Sequence, residues 1–168
     1  MDRHTTKMIL EYAQLLSTAH RVLDGTPTVV RRATTGRQQT KYVLPADLDD
    51  VLYSATHINH PSAVWVRQSD KNYDWLFNMW QELMTEYTYR YGKVHATSRL
   101  EMYLARVPKN IPQKPFTEPT PAMPDEVKVA GDSLKSYRNY YILNKVHLAK
   151  WSGKINSRNK PEWFNAVI

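Results

Sequence analysis

SDKNYDWLFNMWQELMTEYTYRYG, residues 69–92, is the stretch on which the fold turns. Ser69 is a good N-cap, and Asp70 suits the positive end of a helix dipole. Tyr73, Leu76, Phe77, Trp80, Leu83, Met84 and Tyr87 follow at three- and four-residue spacing, on one broad face of an α-helix. Gly92 is the residue type at which such a helix stops.

Upstream, Met8, Tyr12, Leu15, Leu16, Ala19 and Leu23 repeat the helical spacing from Arg3 to about Leu23, and Asp24-Gly25-Thr26-Pro27 ends that helix with turn chemistry. Arg31, Arg32, Arg37 and Lys41, with Gly36 among them, read as an exposed basic loop with at most a short strand at Thr28-Val29-Val30. Asp47 or Asp49 opens a short helix through Tyr53, and Pro61 marks the entry to another, Ser62 to Arg67. Downstream, a helix is expected from about Thr97 to Arg106. Prolines at 108, 112, 115, 119, 121 and 124 then forbid helix and predict an extended strap, so 107–131 is a connecting segment. Asp132 or Ser133 caps a last long helix holding Tyr137, Tyr140, Tyr141, Leu148 and Trp151. The expected architecture is one all-α domain over residues 1–168, with a proline-rich strap and a basic loop.

The chain has 168 residues, a length that suits a single domain. Its net charge of +7 favours polyanionic partners: nucleic acid, nucleotides or an acidic membrane face. There is no cysteine, which excludes disulfides, thiolate catalysis and thiolate zinc sites. No apolar run approaches the ~20 residues of a membrane span, and Met1-Asp2-Arg3-His4 lacks a signal peptide's apolar core. A cytosolic protein without a membrane partner is expected; its oligomeric state stays open, a homo-oligomer included.

Cationic and aromatic residues crowd together in Thr56-His57-Ile58-Asn59-His60-Pro61, then Arg67, then Tyr89-Arg90-Tyr91-Gly92-Lys93-Val94-His95. Such a mixture suits a ligand that bears phosphate and stacks a base. The helix beginning near Pro61 offers free N–H groups to an anion, with His57 and His60 donating beside it; the plainer role is a turn in which Asn59 caps the helix. Arg90, Lys93 and His95 lie at a helix C-terminus, where cations are favoured in any case. Arg138 and Lys145, interleaved with Tyr137, Tyr140 and Tyr141, form a second basic and aromatic surface. Tyr91, Tyr141 and Trp65 are the candidates for stacking, although Trp65, Trp75, Trp80 and Trp151 belong first to the core. His4, Lys7 and Glu11 share one face of the first helix, apart from its apolar stripe. A solvated charged face explains them; proton transfer or imine chemistry, with Glu11 and His4 catalytic and Lys7 binding, is the sharper alternative. No Walker loop, dinucleotide fingerprint or HExxH occurs, and the histidines lack the spacing of a metal site, so neither cofactor nor metal is expected.

Asp2-Arg3-His4 followed by Glu11 resembles the start of the phage pyrimidine-dimer DNA glycosylases of the endonuclease V type, where an Asp-x-His on the first helix precedes the catalytic glutamate. Asn59-His60-Pro61, Arg67, Asn72-Tyr73, Glu86, Arg90-Tyr91 and Lys93 resemble the Asn-His-Pro segment and following helix of bacterial relatives. The likeness covers the first helix and about residues 57–95, roughly half the chain, and the whole also resembles uncharacterised small proteins of tailed phages. The resemblance implies a compact all-α fold that flips a nucleotide and cuts its glycosidic bond through an imine on the N-terminal amine, assisted by Glu11. Those relatives place about a dozen residues before the Asp-x-His, whereas this sequence starts at Met1. Two functions are therefore expected: a DNA-repair glycosylase or lyase, or a pocket that sequesters a nucleotide signal of host anti-phage defence.

Overall fold

A computed structural model describes residues 3–165 of the chain, with the side chains of Arg3, His4 and Asn165 outside the description. Helix α1 spans Arg3–Asp24 and is followed by strands β1, Thr26–Arg31, and β2, Gln38–Val43. Short helices α2 (Ala46–Asp49) and α3 (Pro61–Val66) lead to α4, Asp70–Tyr91. After α5 (Glu101–Leu104) come an extended strap, α6 (Ser133–Asn144) and α7 (Glu162–Asn165). No helix of the described residues is long and apolar enough to cross a membrane.

The all-α expectation is corrected: the chain is mostly helical but carries an antiparallel two-stranded sheet, with Thr28 opposite Lys41 and Val30 opposite Gln39. β-Branched and aromatic residues, Thr28, Val29 and Val30 on one strand and Thr40, Tyr42 and Val43 on the other, favour that pairing. Three further corrections are smaller. The short helix expected through Tyr53 is the single turn α2, which ends at Asp49. The Thr97–Arg106 helix is a 3-10 turn, Ala96–Leu100, running into α5, and the last helix stops at Asn144, short of Leu148 and Trp151.

α1 packs antiparallel against α4, so that His20 near the end of one meets Tyr73 near the start of the other. Ile9, Ala13, Leu16 and Ala19 form the innermost stripe of α1, against Tyr73, Leu76, Trp80 and Met84 of α4; Val66, Leu100 and Leu104 close the core. Burying a large apolar side chain stabilises by ~1.5–3 kcal/mol, whereas an exposed ion pair such as Lys7–Glu11 contributes ~0–1. Packing therefore decides the fold. The caps act as read: the Ser69 hydroxyl accepts from Lys71 N, and α4 ends at Gly92 with φ 62°.

A buried arginine joins the hairpin to this core. The Arg21 side chain is 2% exposed, and all five of its N–H donors are used. Nε donates to Tyr53 O (2.5 Å), Nη1 to Tyr42 O (2.9 Å) and Asp49 Oδ1 (2.5 Å), and Nη2 to Asp49 O (2.8 Å) and Leu52 O (2.7 Å). Gly25 lets β1 leave at once, because a Cβ there would stand 2.4 Å from Arg21 O.

The strap follows the same end of the molecule. Asp24 accepts from Lys109 N and Asn110 N; Asp70 accepts from Lys114 N; buried Asn72 exchanges bonds with Thr117 and donates to Trp65 O. Prolines remove N–H donors, and the remaining backbone groups find side chains of α1 and α4 instead of a sheet.

Arg21→Met would strand four carbonyls and the Asp49 carboxylate. A loss of about 3–5 kcal/mol and a Tm lower by roughly 10 °C are expected from thermal and denaturant unfolding. His20 gives a pH signature. Burial, opposed by the nearby Asp24 carboxylate, pushes its pKa down to about 4, so the unfolded chain binds the extra proton first as pH falls below ~6.5. Stability should therefore fall with pH from 6.5 towards 4, by roughly 1–2 kcal/mol between pH 6.5 and 5. His20→Gln should flatten most of that slope in denaturant titrations at the two pH values.

Candidate functional site

Met8, Tyr12 and Leu15 continue the apolar side of α1 but are not sealed into the core. With Trp75, Leu76, Met79 and Leu83 of α4 they floor a cleft of about 680 Å³. Pro119, Thr120 and Ala122 and the tyrosines of α6, Tyr137, Tyr140 and Tyr141, form another wall. One rim is polar: Glu11 and Gln14 from α1, Thr56, His57 and His60 from the turn before α3, and Lys145 at the end of α6.

Local structure sets each rim residue. His60 is itself the N-cap of α3: its Nδ1 accepts from Ser62 N at 3.2 Å. That bond leaves Nε2 as the donor of the neutral ring. His57 sits in the left-handed region, φ 46°, with Thr56 Oγ1 2.8 Å from its Nδ1. A non-glycine residue there costs about 1 kcal/mol or more, and such strain gathers at functional sites. The Lys145 ammonium lies 5.2 Å from the centre of the Tyr140 ring. Tyr12 is pushed up to about 12 by burial, then by Tyr137 and Glu11, so its phenol remains a neutral hydrogen-bonding group. Burial raises Tyr137 as well.

Six residues singled out in the sequence meet in this cleft: Glu11, His57, His60, Trp65, Tyr141 and Lys145. Trp65 does so as a core residue, 4% exposed, donating through Nε1 to Thr117 O, with the edges of Trp75 and Phe116 against it. It offers no platform for a base. Trp75, at 38% exposure, does, and reading it as core is corrected. The signal was its place beside, not within, the Tyr73–Leu76–Trp80 stripe, with Met79 one turn later.

Other expected ligand residues are engaged elsewhere. Arg67 Nη1 donates to Ile58 O (2.7 Å) and Ala63 O (3.0 Å), bracing the histidine turn, and Arg67 is not among the residues that line the cleft. Arg90 is buried and pairs with Glu86 (2.5 Å), which also holds Arg158; Arg158 covers the Tyr89 ring at 3.7 Å. His95 caps the Ala96–Leu100 turn through Nδ1 and meets Tyr87 edge-on; Tyr91 lies against Tyr87 at 5.0 Å. Arg138 lies 5.6 Å from the centre of the Trp163 ring. Asn59 and Lys93 are exposed outside the cleft lining, and Asn59 does not cap α3. The start of α3 offers an anion fewer N–H groups than a typical helix: Pro61 has none and that of Ser62 is taken by His60. Lys7 pairs with Glu11 at 3.2 Å on the solvent side. The His4 side chain lies outside the described residues, as do Met1 and Asp2. Among the described residues no three His, Asp or Glu side chains cluster to hold a metal.

No family model, no curated protein and no solved structure matches this chain.

Arg90→Ala should behave as a stability mutant. Removing one partner of a buried pair costs about 3 kcal/mol, a Tm drop of roughly 6–12 °C. Arg67→Ala should also lower Tm. A loss of ligand affinity in Arg90→Ala with an unchanged Tm, read by calorimetry, would return Arg90 to the ligand.

Proposed function

We propose that this cleft binds a small nucleotide, its base against Trp75 and the tyrosines of α6, its phosphate beside Lys145, His57 and His60. The observation that carries this reading is the convergence of one lysine, two histidines and an aromatic wall from three separate segments. The volume of about 680 Å³ falls within the usual 300–1,000 Å³ of small-molecule sites. Among the described residues no arginine lines the cleft, and the cationic donors there are few. That supports a ligand with one or two phosphates over a clamped duplex, which needs many contacts along its backbone. Holding the ligand without converting it, as in sequestering a nucleotide signal of anti-phage defence, requires nothing further from these residues.

Glu11 supports a second reading. Its carboxylate lines the cleft and stands 3.2 Å from the Lys7 amine, a pairing that glycosylase or lyase chemistry on a flipped nucleotide could use.

Titrating nucleotides and cyclic dinucleotides while following tryptophan fluorescence should show saturable quenching. Lys145→Ala should weaken binding about 10–100-fold, as expected for a charge-assisted bond of ~1.5–3 kcal/mol, and Trp75→Ala about tenfold or more. Heating the complex should release intact ligand. Absence of binding by every nucleotide would overturn the proposal; a borohydride-trapped adduct with abasic DNA, lost in Glu11→Gln, would replace it with the second reading.

A further inference from the structure

Residues 26–45 contain Arg31, Arg32, Arg37 and Lys41 and no acidic residue, so this short segment contributes +4 to a net charge of +7. The hairpin they form is exposed along nearly all its length; only Val30, Tyr42 and Val43 are half-buried. Lys41, near the base, is turned back to the body by Asp49 at 3.3 Å. The three arginines stand at the far end, about 17 Å from the Thr26–Val43 pair at ~3.4 Å per residue. Their turn is closed, with Arg32 N donating to Arg37 O (2.9 Å) and Gly36 N to Arg32 O (2.8 Å). Directly opposed residues share a face, so Arg31 lies with Gln38, while Arg32 Nε donates to Gln39 at 2.7 Å on the other face. Both faces of the ribbon end in Arg and Gln side chains.

Charge at an open strand edge also discourages aggregation, but lysine would serve that purpose equally. Arginine's planar fork matches phosphate and the O6/N7 edge of guanine, and glutamine matches the N6/N7 edge of adenine. Two strands ~4.8 Å apart make a ribbon that a major groove ~12 Å wide admits, whereas the A-form RNA groove is too narrow. The tip, Ala33-Thr34-Thr35, lacks the Trp, Phe or Leu with which a lipid surface is entered. We infer that hairpin β1–β2 is a DNA-binding ribbon that lies in the major groove of a B-form duplex through Arg31, Arg32 and Arg37. It is separate from the cleft: Leu15, the cleft residue furthest along α1, and Asp24 lie nine residues apart, roughly 14 Å, and the arginines stand farther out along the hairpin.

The test is fluorescence anisotropy of the full chain with a labelled 20-base-pair DNA duplex over a range of NaCl. The Arg31→Ala, Arg32→Ala, Arg37→Ala triple variant should bind more than tenfold more weakly at low salt. Its log–log salt slope should be shallower by about 2–3, at ~0.9 for each phosphate that is no longer neutralised. Exchanging three exposed lysines elsewhere (Lys109, Lys135 and Lys150) for alanine should leave the slope within one unit of the parent. Should the arginine variant fail to fold, the parent with duplex pre-methylated at guanine N7 gives the answer, because N7 faces the major groove; several-fold weaker binding is expected. No binding of duplex, equal slopes in the two triple variants, indifference to N7 methylation, or equal affinity for duplex RNA or heparin would each overturn the inference.

Discussion

A charge removed from water must find partners, and Arg21 finds all of them in backbone that follows α1 and in the Asp49 carboxylate. Its guanidinium gathers carbonyls of β2, of α2 and of the segment up to Tyr53, and its hydrogen bond, with that of Leu44 N–H, holds Asp49 down to about 2. The ion pair is therefore intact above the ordinary carboxylate range and is lost only as pH falls towards 2. Without this anchor the hairpin would be a two-stranded sheet with little apolar burial of its own, which is marginal in water. The clamp also sets where the chain goes next. From Tyr53 it passes Thr56, whose N–H reaches Thr18 on α1, and arrives at His57 and His60 on the cleft rim. The hairpin and the histidine turn thus share one source of order.

The basic surplus divides into two populations that composition cannot separate. Arg21, Arg67 and Arg90 point inward, onto carbonyls or a glutamate, and they brace the turns and helix ends of the domain. Arg31, Arg32 and Arg37 stand on an exposed ribbon that reads, residue by residue, as loop. Arginine serves both ends because its fork satisfies several acceptors at once, whether these are main-chain oxygens or phosphate oxygens. Net charge alone thus says little about where an anion binds.

Helices α1, α3 and α4 and the strap were legible because each carries strong local punctuation: Ser69 and Gly92 around α4, Pro61 at the start of α3, and proline at 112, 115, 119 and 121. The hairpin was not. Its turn lacks the Asn-Gly or Asp-Gly pair that announces a tight hairpin, and its pairing depends on Arg21, which is distant in sequence. The cleft was half legible. His57, His60, Lys145 and Tyr141 stand out as cations and aromatics in odd company, and Glu11 as a carboxylate off the apolar stripe. Arg67 and Arg90 stood out equally, yet nothing local distinguishes a guanidinium that will brace a turn from one that will meet a ligand.

The two walls of the cleft are built differently, and this bears on how a ligand would enter. The floor belongs to α1 and α4, and behind it Trp65 is fixed by Thr117, whose backbone and hydroxyl are in turn locked by buried Asn72. The other wall, α6, buries only Ser133 and Ser136 of its own residues and packs mainly on the short elements around it. At its start Glu118 accepts from Ser133 N, and beyond its end the chain is clipped to α4 through Arg158 and Glu86. Regions with little buried apolar surface open at lower free energy than a packed core. A nucleotide bound as proposed would therefore meet a firmly packed floor at α1 and α4 and, at α6, a wall that yields at lower free energy.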